Sequence, residues 1–123
     1  MSRHEYVEFL LEQLQRCGID SFALTARRMF GGHGLFFEGI MFALIADDEL
    51  YLKLGDDNTA DFERAGLPRF SYQRSGKNIE LAYALAPADA LDDPDMLREW
   101  ASKAIDAALA ADRAKRNTGG SKR

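Results

Sequence analysis

The sequence carries one cysteine, three prolines, two histidines and a single tryptophan in 123 residues, and each scarcity closes off a class of protein. One thiol, Cys17, cannot form an internal disulfide, so a disulfide scaffold is excluded and a reducing, cytoplasmic setting is expected. Zinc wants four ligands, normally Cys or His, and neither a C-x-x-C nor an H-E-x-x-H spacing occurs; no metal and no cofactor is expected. The longest apolar run, Ile40 to Ala46, falls far short of the roughly 20 residues that span a bilayer, and the N-terminus lacks the basic-then-apolar pattern of a signal peptide. No membrane span follows. Hydrophobic residues at 46% and charged residues at 29% are the proportions of a globular domain, which excludes disorder of the whole chain, and the length has room for one core.

Charge is unevenly placed. Residues 112–123 hold five basic side chains against Asp112, whereas residues 1–111 hold 11 basic and 19 acidic ones, a net of −8. The chain therefore reads as one domain over 1–111 and a basic, flexible tail over 112–123. A body of that charge repels a polyanion unless a local basic patch intervenes.

Ser2 followed by Glu5 forms a capping-box pattern, and Val7, Leu10, Leu11 and Leu14 recur at helical spacing, which predicts a first helix to about Arg16 with Gly18 as its cap. Strands are predicted over 24–30, 34–37, 40–46 and 49–53, the first two as separate strands or one bent strand, with turns at Glu38-Gly39 and Asp47-Asp48. Asp57 or Asn58 is placed to cap a short helix over Thr59 to Ala65, closed by Gly66 and Pro68. Strands over 70–74 and 78–85 flank the turn Ser75-Gly76-Lys77. Asp93-Pro94 opens a last helix, along which Leu97, Trp100, Ala101, Ala104, Ile105, Ala108 and Leu109 trace an apolar stripe. The order helix, strands, short helix, two strands, long helix predicts an α+β domain, an antiparallel sheet with helices packed on one face.

The densest local signal is Arg27-Arg28-Met29-Phe30-Gly31-Gly32-His33-Gly34. Glycine at that density suits a loop whose N–H groups cradle an anion beside Arg27 and Arg28, but no G-x-G-x-x-G or Gly-Lys-Ser/Thr spacing supports it. A bulge or sharp bend needing close backbone approach is the simpler reading, which makes Gly31, Gly32, Gly34 and Gly39 structural positions. Nothing in the spacing joins His4 to His33. Cys17, near the end of an amphipathic helix, reads as a buried small hydrophobe. The acidic clusters Asp47-Asp48-Glu49, Asp56-Asp57 and Asp92-Asp93 fall at turns and caps, where carboxylates satisfy local donors. Leu35-Phe36-Phe37 and Ile40-Met41-Phe42 are too continuously apolar for a sheet with one wet face, so either both faces are covered or one is an interface.

From Arg28 to Lys53 the sequence resembles the N-terminal domain of the TfoX/Sxy family, associated with bacterial competence regulation. The resemblance is carried by Arg28-Met29-Phe30-Gly31-Gly32, Gly34-Leu35, Gly39 ahead of Met41-Phe42-Ala43-Leu44, and Asp47-Asp48 with Leu50-Tyr51-Leu52-Lys53. Phe70, Tyr72, Tyr83, Pro87 and Trp100 look like later landmarks, extending it over roughly residues 5–110. Phe36 stands where the family often has tyrosine, which removes a hydroxyl. The resemblance implies a secretion-chaperone-like α+β fold and a co-activator acting beside a cyclic-AMP-responsive transcription factor, with no established catalytic residues. It also implies regulators with a further C-terminal helical domain, so this chain is expected to be a stand-alone N-terminal domain.

The leading reading is a non-enzymatic protein-interaction module linked to transcription or competence, with Arg27, Arg28, His33 and Lys53 as candidate binding residues and a transcription factor as the expected kind of partner. A second reading is direct nucleic-acid binding through Arg27, Arg28 and the basic tail. A third is a small-ligand binder or enzyme assembled from residues such as His33, Asp47 and Tyr51. A homodimer through the sheet or the last helix is a further option.

Overall fold

A computed structural model describes residues 3–20, 22–29 and 31–121, with side chains described within residues 5–117. Ser2 of the capping box, the side chain of His4, Phe30 at the end of the first predicted strand, and the terminal Lys122 and Arg123 lie outside the described residues.

Helix α1 (Arg3–Arg16) buries Val7, Leu10 and Leu14 and ends as its sequence dictates. Gly18, at φ +96°, lets the chain leave the helix through bonds from its own N–H to Gln15 O and from Ile19 N–H to Leu14 O. Six strands follow: β1 (Leu24–Met29), β2 (Gly32–Phe37), β3 (Ile40–Ala46), β4 (Glu49–Lys53), β5 (Arg69–Arg74) and β6 (Lys77–Leu85). They form one antiparallel sheet in the order β1-β2-β3-β4-β6-β5. Three of the connections are two-residue hairpins with positive φ at both positions, Glu38-Gly39, Asp47-Asp48 and Ser75-Gly76. That geometry matches the right-handed twist of the strands it joins.

Helix α2 (Thr59–Arg64) links β4 to β5, a 3-10 turn (Ala88–Asp92) follows β6, and α3 (Pro94–Ser121) closes the fold. Asp93 starts α3 by accepting from the N–H groups of Asp95 and Met96 at 3.1 and 3.2 Å. The stripe Leu97, Ala101, Ala104, Ile105 and Ala108 is buried against β3 and β4, and α1 lies alongside. Small α2 is held to α3 by an edge-to-face contact of Phe62 with Trp100 (4.8 Å between centroids) and by Lys103 Nζ to Asp61 Oδ2 at 2.8 Å. The fold is thus α+β, with the described helices on one face of the sheet. No described helix is long and apolar enough to cross a membrane.

Of the two options left by the sequence, the first two strands are separate, hairpin partners in register Arg27↔Gly34 and Met29↔Gly32. Two expectations change. β2 begins at Gly32, two residues earlier than predicted, because Gly32 and Gly34 belong to the ladder with β1. Asn58 sits at the start of α2 without capping it; its side chain turns back to accept from Gly55 N–H at 2.6 Å and donate to Lys53 O at 2.9 Å. Helix α3 runs through residues 112–121, where Arg116 pairs with Asp112 at 3.0 Å.

Candidate functional site

Side chains alternate across a strand, and the core accounts for one set: Leu35, Ala43, Ile45, Leu50, Leu52 and Ala84 face the helices. The other set lines a face that no described helix covers. On it stand Arg27 and Met29 from β1, Gly34 and Phe36 from β2, Met41 and Leu44 from β3, Tyr51 and Lys53 from β4, Phe70, Tyr72 and Arg74 from β5, and Leu81 and Tyr83 from β6. Phe42 is the extra residue where β3 slips against Leu35-Phe36, so it joins Ala43 on the core side and Met41 swings to the open face.

This face is concave. Met29 on the first edge strand and Phe70, Tyr72 and Arg74 on the last line the same groove, of about 410 Å³, with Leu44 and Leu81 between them and Gly32 and His33 at its β2 end. Two crowded glycines allow the sheet to close in this way. A side chain at Gly32 would meet Ile45 O at 2.0 Å, and one at Gly34 would meet the thioethers of Met29 and Met41 at 2.6 and 2.8 Å. Gly31 and Gly39 are different, since space around them is open and positive φ is what their turns require.

The aromatic rings are packed on one another and capped by cations. Tyr51 meets Phe70 edge-on at 5.0 Å and Phe70 meets Tyr72 at 6.3 Å. The Arg27 guanidinium lies 5.1 Å above the Phe36 ring, and Lys53 Nζ lies 5.2 Å above Tyr83. Burial pushes the Tyr83 phenol up to about 12, and its hydroxyl donates to Met41 O at 3.4 Å. Burial, then the Glu49 carboxylate, also raises the Tyr51 phenol, whose hydroxyl lies 3.5 Å from Glu49 Oε2. Both shifts lead away from acid–base chemistry near neutrality. Tyr72, 38% exposed, is the open part of the aromatic row. A second depression, of about 610 Å³, lies between residues 53–58 and α3, but the Asn58 side chain on its wall is fully used by the backbone.

The structure divides the four predicted binding residues. Arg27 and Lys53 reach the open face; the cross-strand pair Arg28 and His33 alternates to the other side by register, although His33 still borders the groove at its β2 end. Arg113, Lys115 and Arg116 lie on α3, in the helix layer, and do not extend the Arg27 patch. Among the other candidates, Asp47 stays in its turn and Cys17 is buried, its thiol donating to Leu14 O and pushed up by desolvation. Sequence reasoning missed Phe70, Tyr72, Arg74 and Leu81 as partners of the β1–β2 segment. Their alternation was visible, but their place opposite Met29 depends on the β4-β6-β5 order.

The profile of the TfoX N-terminal domain matches residues 12–108, most of the chain and all six strands. The chain belongs to the TfoX N-terminal domain family. Over 46 residues it is also 48% identical to the DNA transformation protein TfoX1 of Aliivibrio fischeri (strain ATCC 700601 / ES114), a match covering 37% of this chain and 22% of that protein. Within the TfoX N-terminal domain, then, the Arg28–Lys53 segment builds the end of β1 and all of β2 to β4, which bring Phe36, Leu44 and Lys53 to the open face.

Proposed function

We propose that this TfoX N-terminal domain is a non-enzymatic interaction module that serves DNA transformation, the process named in its Aliivibrio relative, by holding a partner protein on its concave sheet face. The observation that carries the reading is the apolar groove shared by β1, β3, β5 and β6 on a face that no described helix covers. A face of this kind, apolar at its centre and rimmed by charge, has the anatomy of a protein interface. Family membership supports a link to competence, and a partner connected with transcription is the kind we expect.

A protein fits better than nucleic acid. Stacked bases need free ring faces, and here Phe36 and Tyr83 are each covered by a cation while Tyr51 and Phe70 occupy one another. The test is affinity capture from native extract with and without nuclease, using the wild-type chain and Tyr72→Asp side by side. A partner retained after nuclease and lost with Tyr72→Asp supports the module. Partners lost with nuclease alone, or retained by Tyr72→Asp, overturn it.

A further inference from the structure

The open face differs in charge from the rest of the molecule. Arg27, Lys53, Arg74 and its cross-strand neighbour Lys77 stand on it, against one strand carboxylate, Glu49. The body as a whole is acidic, with a net of −8 over residues 1–111, these five included. Among the described residues, no carboxylate comes within ion-pair distance of any of these four cations. Arg27 and Lys53 each lie against an aromatic ring of this face, a contact that leaves donors of both cations unused by any ion pair among the described residues. Lys77 and Arg74 flank the β5–β6 hairpin turn, at one end of the row, and Arg74 also lines the groove. The groove between the cations is lined almost wholly by carbon and sulfur: Met29, Leu44, Phe70 and Leu81.

Resting on the interaction reading above, we propose that the concave face takes an extended acidic segment of a partner protein. Its large apolar side chains enter the groove between β1 and β5, and its carboxylates meet Arg27, Lys53, Arg74 and Lys77. Charge complementarity selects this occupant. A second copy of the chain would bring its own cationic face or its acidic body, and only an acidic surface that also offers protruding apolar side chains satisfies both halves of the site. An extended segment is long enough to reach from the groove to the cations at its rim, so that apolar side chains at some positions meet the groove and carboxylates further along meet the cations.

The test is selection of a random dodecapeptide display library on the immobilised full chain, followed by titration of the selected peptides by fluorescence anisotropy. Oligothymidylate is titrated in parallel, and light scattering reports the mass of the chain in solution. The expected result is enrichment of acidic sequences with at least two large apolar residues. Their affinity should fall by about tenfold or more in Arg74→Glu, return when a peptide glutamate is changed to lysine, and disappear in Tyr72→Asp. Peptides that depend on Tyr72 but carry no acidic bias overturn the acidic-segment assignment while leaving the interaction module standing. Oligothymidylate binding that displaces the peptides, or a dimer that Tyr72→Asp dissociates, overturns it in favour of nucleic acid or a second copy. Circular dichroism of both variants shows whether the fold is retained. If Tyr72→Asp unfolds, Lys77→Glu, at an exposed turn position, carries the same charge test.

Discussion

Gly32 and Gly34 are two residues apart on one strand, yet an added methyl group should act very differently at each. Neither has positive φ, so the backbone accommodates alanine and only space decides. At Gly32 the new Cβ would stand 2.0 Å from Ile45 O and 3.2 Å from its carbonyl carbon, atoms locked in the β2–β3 ladder. Relief requires separating two paired strands, and we expect Gly32→Ala to cost about 3 kcal/mol, at the upper end for overpacking. At Gly34 the nearest obstacles are the thioether sulfurs of Met29 and Met41, in flexible side chains, with the edge of the Phe36 ring next at 3.1 Å. They can rotate away, and alanine recovers some of the chain entropy glycine loses on folding, so a net loss of about 1 kcal/mol is expected. At about 4 °C per kcal/mol for a domain of this size, the variants should melt roughly 12 and 4 °C below wild type. Thermal unfolding followed by circular dichroism, with urea titration as a second measure, gives both numbers. A Gly32→Ala protein as stable as wild type, or less destabilised than Gly34→Ala, would refute the reasoning that close strand approach is what these glycines provide.

Asn58, 1% exposed, satisfies a donor and an acceptor of the β4–α2 loop; Asn58→Ala should destabilise by about 2–4 kcal/mol by leaving both unpaired, read from the urea midpoint. The Lys103 ammonium, bonded to Asp61, holds that carboxyl below its ordinary value of 3.8, with the Arg64 charge assisting. Because the folded value is depressed, the pair's contribution is fully present above the unfolded value and is lost as pH falls through the folded one. Asp61→Asn should therefore flatten the acid limb of the stability curve, and an unchanged limb in urea titrations at neutral pH and about pH 3 would contradict the assignment. Cys17, buried and raised in pKa by desolvation, should react with a disulfide reagent roughly a hundredfold or more slowly in the native chain than in denaturant. Equal rates would place the thiol at the surface.

Much of this architecture was legible because its signals are local. Asp93-Pro94 starts α3, Gly18 ends α1, and the residue pairs at 38–39, 47–48 and 75–76 make the hairpins that their types favour. What escaped is non-local or depends on direction. Asn58 looks like a cap in sequence, but the loop behind it needs its amide more than the helix ahead does. Arg27 and Arg28 read as one basic patch until strand alternation sends them to opposite faces. The groove itself needs β5 to fold beyond β6 and approach β1 across the sheet, a register that no local pattern announces.

Strands β1 and β5 are the two edges of the sheet. An open sheet leaves hydrogen-bonding groups unpaired along its margins, which is how β proteins come to stack into aggregates. Here β1 carries Arg27 on the concave side and Arg28 on the other, while β5 carries Arg74 on the concave side and Arg69 towards the helices. Both margins are thus guarded by positive charge above and below, and a second copy laid edge to edge would set arginine beside arginine. The sheet is unfinished in its hydrogen bonding but fenced in its electrostatics, an arrangement that disfavours edge-to-edge stacking.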